Sequence, residues 1–202
     1  MQNICLLGAT GSIGTSTLDS IRQHPDRFNL VSVAANTSVE RMVEICHAFK
    51  PETVVMGDEK SRDAVAKACL GLSIQFDFGA DAMSTVAADA KVDQVVAAIV
   101  GFAGLTSTLA AIRAGKRILL ANKESLVTAG QLFMDEVAKH NVTLMPIDSE
   151  HNAIYQCLPQ NERGAVKRSV EKILLTASGG PFRDFSYQQM LAVTPEQACK
   201  HP

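Results

Sequence analysis

The sequence predicts a doubly wound α/β domain built on a mostly parallel sheet. Three observations predict it: short apolar runs bounded by turn residues, helically spaced segments between those runs, and stretches such as Val95-Val-Ala-Ala-Ile-Val100 that are apolar throughout. Strands covered on both faces look like this, whereas a half-exposed antiparallel strand alternates.

Taken in order, the first apolar run, 3–7, is a strand that ends at Gly8, and helical spacing follows over 13–24. A second strand at 30–34 leads into a helix at 39–49. Its boundaries are marked by Ser38 as N-cap and by Pro51 beyond the end, and Val39, Met42, Val43, Cys46 and Phe49 form its apolar face. Strands at 53–56 and 73–76 flank a helix at 59–70. A strand at 95–99, a helix at 105–114, a strand at 117–121, a long helix at 124–140 and a strand at 142–147 complete the alternation. The rhythm then changes to a helix at 150–158, a polar stretch at 159–169, one strand near 172–176 and a Ser-Gly-Gly-Pro turn. Near the end, Thr194-Pro-Glu-Gln197 reads as a helix start, with Pro195 in the first turn and Gln197 at the capping-box position.

Two hundred and two residues make one full domain plus part of another. The expected division is a dinucleotide-binding domain at 1–148 and a second, incomplete unit at 149–202, so the chain reads as part of a longer protein. Nineteen basic against twenty-one acidic residues, with no charge run, argue against nucleic acid as a partner. Five widely spaced cysteines without a C-x-x-C pair suit reduced thiols. With no signal-sequence pattern and no long apolar span, the expected location is the cytoplasm, with no membrane partner.

Gly8-Ala-Thr-Gly11-Ser-Ile-Gly14 follows a predicted strand and opens a predicted helix. Glycines there permit a tight turn and close approach to a pyrophosphate, while the helix start offers unpaired N–H groups and a positive dipole end. The spacing also fits a plain glycine-rich connector. At the end of the second strand, Asn36, Thr37 and Ser38 stand where an acid would grip the ribose of NAD. Neutral donors there favour NADP, with Arg41 as a candidate helper, although Ser38 also serves as a helix cap.

Two carboxylates, Asp148 and Glu150, stand two residues apart where a strand gives way to a helix. Oxygen ligands so spaced can converge on Mg²⁺ or Mn²⁺ with help from further oxygens, or they can simply complement a helix dipole. Asn122-Lys123-Glu124 lies in the same kind of place. Lys123 can bond a substrate oxygen and Asn122 and Glu124 can face a cofactor, or Asn122 can cap the long helix. Ser178-Gly-Gly180 can present a hydroxyl and N–H groups to a phosphate, or form an ordinary turn.

Together, Gly8–Gly14, Leu120-Ala-Asn-Lys-Glu-Ser125, Ile147-Asp-Ser-Glu-His151 and Thr176-Ala-Ser-Gly-Gly-Pro-Phe182 closely resemble the 1-deoxy-D-xylulose 5-phosphate reductoisomerases in order and spacing. The resemblance runs from Asn3 to Pro202 and implies a Rossmann-like NADP-binding domain followed by the start of a truncated α+β catalytic domain. It implies a metal-dependent rearrangement of 1-deoxy-D-xylulose 5-phosphate and NADPH reduction to 2-C-methyl-D-erythritol 4-phosphate, a step of non-mevalonate isoprenoid synthesis, in a homodimer when full length. By position, Thr10, Gly11, Ser12 and Ile13 would hold the cofactor phosphates. Asn36, Thr37 and Ser38 would hold the adenosine end, and Asn122 and Glu124 would lie near the reactive ring. Lys123, Ser149 and Glu150 would meet substrate, as would Ser178 and His201 at its phosphate end. Asp148 and Glu150 would bind the metal, and with Lys123 they form the catalytic set. Family members continue beyond this length into a lid and a third metal carboxylate, so the chain alone is expected to bind NADPH weakly and turn over little. Another NADP-dependent reductase and a non-catalytic dinucleotide sensor are the alternatives.

Overall fold

The structure, a computed structural model, describes residues 1–158, 170–175 and 180–200. Seven strands form one all-parallel sheet: β1 (Gln2–Leu7), β2 (Phe28–Ala35), β3 (Thr53–Met56), β4 (Gln75–Phe78), β5 (Gln94–Ala97), β6 (Arg117–Leu120) and β7 (Leu144–Pro146). Their spatial order is β4-β3-β2-β1-β5-β6-β7. The chain therefore winds outward from β1 to β4, crosses back and winds the other way from β5 to β7. Its strands carry Leu6, Val33, Val54 and Val96 toward one face and Cys5, Val31, Val55, Val95 and Ile118 toward the other. Burial on both sides is why these strands read as continuous apolar runs.

Helices α1 (Ser12–Gln23), α2 (Val39–Phe49) and α3 (Glu59–Ala68) cover the first face through Leu18, Ile21, Met42, Ile45 and Val65. Helices α4 (Gly79–Ala88), α5 (Leu105–Arg113) and α6 (Glu124–Lys139) cover the second through Ala82, Val86, Leu109, Ile112 and Phe133. Asp58 caps α3 by accepting from the Ser61 N–H at 2.8 Å. Ser38 stands at the start of α2, but its hydroxyl makes no cap bond.

Three expectations need correction. The segment between β4 and β5 holds α4, which the spacing did not announce. Its buried side chains are Ala82, Val86 and Ala87, too small to draw a strong apolar stripe. The fourth strand runs two residues later than predicted, and β5, β6 and β7 end earlier. A strand persists only while a neighbour pairs with it, and the registers of these three close at Ala97, Leu120 and Pro146. Residues 170–175 are not a strand, since no described segment pairs with them. Helix α7 (Ser149–Cys157) forms as expected, followed by two short helices, α8 (Tyr187–Met190) and α9 (Pro195–Ala198). The last opens on the expected capping box of Thr194 and Gln197. The polar stretch at 159–169 and the Ser178–Gly179 part of the turn lie outside the described residues.

Cys5, Cys46 and Cys69 are buried and unpaired, and burial pushes the Cys5 and Cys46 thiols up to about 12. They pack as small apolar groups. On α6, Glu136 accepts from the Arg113 guanidinium of α5 at 2.8 Å, with Lys139 and His140 close by. Arg113 foremost holds the Glu136 carboxyl below its ordinary value of 4.5.

Phe133, fully buried at the α5–α6 seam, should cost about 3–5 kcal/mol when replaced by Ala. The exposed Val127 should shift stability by less than about 0.5 kcal/mol on the same change. Urea unfolding of both variants checks the contrast. The lowered Glu136 value stabilises the fold above the ordinary carboxyl range, and that contribution disappears as pH falls through the folded value. A Glu136→Gln variant should therefore be less stable than the parent at neutral pH and match it in strong acid, as read from melting temperatures across pH.

Candidate cofactor and metal site

Because the winding reverses between β1 and β5, the loops leaving these strands diverge at the carboxyl edge and open a crevice. The turn after β1 is held by backbone: the Gly8 and Ala9 N–H groups both donate to Ala34 of β2 at 2.9 Å. Gly8 sits at φ +88°, and a methyl there would run into the carbonyl of Ala98, just past β5. Only glycine lets these two strand exits pass so closely. Gly11 is the N-cap of α1, and no side chain caps it and no acid lies in the first turn. The helix start thus keeps free N–H groups and an uncompensated positive end toward the crevice.

The crevice is a cleft of about 380 Å³ lined by Gly8, Thr10 and Gly11 from the turn, Asn36 from the end of β2, Met83 from α4 and Ile99 from the loop after β5. Asn36, which lines it, and the following Thr37 and Ser38 are all exposed, and no acid stands among them. Arg41 is turned elsewhere: it pairs with Glu44 of its own helix at 2.6 Å and lines a groove between α1 and α2. Met83 and the Ile99–Ala103 loop were missed by sequence reasoning. Gly101 and Gly104, closing an apolar strand as Gly8 does, were the available signal for the loop, whereas nothing marked Met83 once α4 was overlooked.

Across the sheet, the carboxyl ends of β6 and β7 bring Lys123 and Asp148 together. The Lys123 ammonium donates to Asp148 Oδ2 at 2.6 Å, and His151 Nδ1 lies 3.4 Å from Oδ1. Asp148 is largely shielded, with its side chain 14% exposed, while that of Lys123 is 53% exposed. Each holds the other charged: the Lys123 ammonium draws the Asp148 carboxyl below its ordinary value, and Asp148 raises the Lys123 value. Glu150, two residues on, also helps to hold the Asp148 carboxyl down. Ser149 and Glu150 are exposed on the first turn of α7, and Glu150 also borders a cleft of about 530 Å³ between α7 and residues 170–175.

The donor set is hard oxygen, and a cationic group already rests on one of its oxygens. These residues fit a small divalent cation as two ligands of a larger set. Among the described residues no group of three or more His, Cys, Asp or Glu gathers to complete one. Glu124 opens α6, half-buried. Asn122 is 3% exposed and spends its carboxamide on the protein itself, as a helix cap that also reaches back to the loop after β5. Ser178 and His201 lie outside the described residues.

Residues 4–130 match the family model described as 1-deoxy-D-xylulose 5-phosphate reductoisomerase, and residues 144–202 match the model of that enzyme's C-terminal domain. The chain belongs to the 1-deoxy-D-xylulose 5-phosphate reductoisomerase family. The reductoisomerase of Ralstonia nicotianae is 52% identical over 206 residues, which cover 100% of this chain and 52% of that protein. The reductoisomerase of Acinetobacter baylyi is 49% identical over 209 residues, with the same coverage. A reductoisomerase structure from Zymomonas mobilis in complex with NADPH superposes with a TM-score of 0.89 at 45% identity, covering 100% of this chain and 52% of that one. A DOX-P reductoisomerase structure in complex with NADPH, fosmidomycin and magnesium gives 0.88 at 44% identity, covering 100% and 51%. This reductoisomerase-family chain therefore spans about half the length of the curated relatives it matches. A probable dehydrogenase from Thermotoga maritima, 17% identical with a TM-score of 0.51 over 72% of this chain, shares the fold alone.

The turn itself yields a contrast in stability. Gly8→Ala forces a side chain into a positive φ and into the Ala98 carbonyl, whereas a methyl at Gly11 meets only the Gly8 carbonyl at 3.5 Å. The first should lose at least about 1–3 kcal/mol, while the second should stay within about 1 kcal/mol of the parent. Thermal unfolding of the two variants measures the difference.

Proposed function

We propose that this chain forms the NADPH-holding part and the opening of the metal and substrate site of a 1-deoxy-D-xylulose 5-phosphate reductoisomerase. The full protein would convert 1-deoxy-D-xylulose 5-phosphate to 2-C-methyl-D-erythritol 4-phosphate for non-mevalonate isoprenoid synthesis. The observation that carries the reading is the Lys123–Asp148 contact at 2.6 Å, with Glu150 on the next turn of chain. The pair stands at the same sheet edge as the uncapped start of α1. From β1 to β7 is three strand spacings, about 14 Å at roughly 4.8 Å each. An extended dinucleotide anchored at the glycine turn reaches across that distance. Family membership and the NADPH and magnesium complexes of the relatives support the same assignment.

Thr10, Gly11, Ser12 and Ile13 would take the cofactor phosphates at the uncapped start of α1, where the Gly11 N–H also donates to the Gly8 carbonyl at 3.2 Å, and Asn36, Thr37 and Ser38 would take the adenosine end. The absence of an acid at the β2 end suits a 2′-phosphate, which a carboxylate would repel. Glu124 would stand near the reactive ring, and Asn122 would meet it through backbone alone. NADPH supplies hydride, and a bound Mg²⁺ or Mn²⁺, held by Asp148 and Glu150, supplies Lewis acidity. Lys123 would donate to a substrate oxygen while its charge offsets negative charge developing there. Ser149, Ser178 and His201 would complete the substrate contacts, the latter two from residues outside the described structure.

On this reading 1–148 is the cofactor domain and 149–202 begins the catalytic one. With two carboxylates gathered among the described residues, turnover by the chain alone should be low. Buried reduced thiols favour the cytoplasm, and among the described residues no helix is long and apolar enough to cross a membrane. Exposed Ile173, Leu174 and Leu175 favour a covered surface in the full-length homodimer.

Titration with Mn²⁺, followed by the loss of its free electron-spin signal, tests the metal assignment. Asp148→Asn should weaken binding by about tenfold or more. NADPH binding, followed by nicotinamide fluorescence, should survive Asp148→Asn and weaken in Gly11→Ala. Equal Mn²⁺ affinity in parent and Asp148→Asn would overturn the metal site, and equal NADPH affinity in parent and Gly11→Ala would overturn the phosphate turn.

A further inference from the structure

The loop after β5 and the start of α6 are joined by one side chain. The Asn122 amide donates both of its hydrogens to main-chain carbonyls of that loop, to Ile99 at 2.6 Å and to Gly101 at 2.8 Å. Its carbonyl oxygen accepts from the N–H of Ser125 in the first turn of α6 at 3.1 Å. Gly104 leaves room for this amide, since a methyl there would come within 2.6 Å of Nδ2 and 3.0 Å of the Ile99 carbonyl. Asn122 is almost fully buried, so each of these bonds is made out of water, where losing one leaves an unpaired group.

What lies on either side gives the clamp its consequence. On the loop side, Ile99, Val100 and Ala103 line the cleft with Gly8 and Thr10. On the helix side, the next residue is Lys123, with its ammonium on Asp148. The first turn of α6 is not rigidly continuous with the rest of the helix, because Ala129 breaks it at φ −138°, ψ 33°. The buried Ser125 hydroxyl has no partner, so it does not anchor the turn either. The Asn122 side chain thus helps aim Lys123, together with the Ala121 and Asn122 N–H groups on the Ala97 carbonyl and the Asp148 contact.

We propose that Asn122 is a positioning residue that couples occupancy of the dinucleotide cleft to the placement of Lys123. A dinucleotide resting on the 99–104 loop fixes the carbonyls that Asn122 grips, and the carboxamide passes that restraint to the first turn of α6. The lysine is then presented to substrate in one geometry only when the cofactor is in place. This inference rests on the cofactor reading above. It differs from a plain helix cap, which would stabilise the fold without linking the two ends of the site.

The test is acylation of the Lys123 amine by an acetyl N-hydroxysuccinimide ester, followed by mass spectrometry with and without NADPH, with exposed Lys60 on α3 as the internal reference. In the parent chain, saturating NADPH should slow Lys123 labelling by about fivefold or more and leave Lys60 unchanged. In Asn122→Asp, which keeps the acceptor and loses both donors, the effect should fall below about twofold at an NADPH level that saturates the variant. Gly104→Ala, which displaces the amide without removing it, should do the same and decides the matter if Asn122→Asp does not fold. Undiminished protection in a folded variant means that the cofactor shields Lys123 directly and overturns the coupling. Unchanged labelling in the parent despite bound NADPH overturns it as well. Failure of the parent to bind NADPH by fluorescence would instead remove the cofactor reading on which the proposal stands.

Discussion

The close passage of the chain leaving β1 against the chain leaving β5 is the constraint on which the site depends. Gly8, at φ +88° and against the Ala98 carbonyl, allows it. With a side chain there the two exits would be pushed apart, and α1 would no longer aim its free N–H groups along the crevice. The Ala34 carbonyl, taking both the Gly8 and Ala9 N–H groups, then locks the turn to β2. What this turn offers at the crevice is therefore backbone, positioned by the sheet and not by side-chain rotamers. A pyrophosphate, which offers oxygens in many directions, suits such a cradle.

The other end of the site follows a different logic. Lys123 and Asp148 come from separate strands, and the lysine is half-exposed, so solvent and salt screen their attraction. Such a pair contributes little to stability. What it does is fix where one positive and one negative group stand at the carboxyl edge, with Glu150 and His151 beside them. Orientation at that point comes from α7, whose N-cap is Asp148 itself, and from the Asn122 clamp behind Lys123.

The parallel sheet was legible because strands buried on both faces leave no polar alternation, and β1 to β3 with α1 and α2 were located to within two residues at each end. The fourth helix was not, because Ala82 and Ala87 bury as well as leucines do yet make no visible stripe. Strand ends were overrun at β5 to β7 because apolar sequence says nothing about where a neighbour stops pairing. The placement of Lys123, Asp148 and the glycine turn at the carboxyl edge was legible from their positions after apolar strands. The reach of the Asn122 side chain was not. Helix cap and cofactor contact were both open from sequence, and the choice turns on the carbonyls of Ile99 and Gly101, more than twenty residues away.

That distance shows how one side chain can bridge segments that the chain itself keeps far apart. In a doubly wound sheet the loops at the carboxyl edge are neighbours in space but separated by whole helices in sequence, so a dinucleotide lying across several strands contacts segments with no direct covalent link. Rigidity between them must come from groups that bond sideways along the edge. Backbone alone does not supply it past Ala97, where the β5–β6 pairing ends. A buried carboxamide does, because its two donors and its acceptor point in opposite directions and can be satisfied by different loops at once. A hydroxyl is too short to span them, and a carboxylate would face the two loop carbonyls with like charge. At this position the edge of the sheet therefore admits asparagine for the same kind of reason that the β1 turn admits glycine: the geometry of two passing chains leaves one side chain that fits.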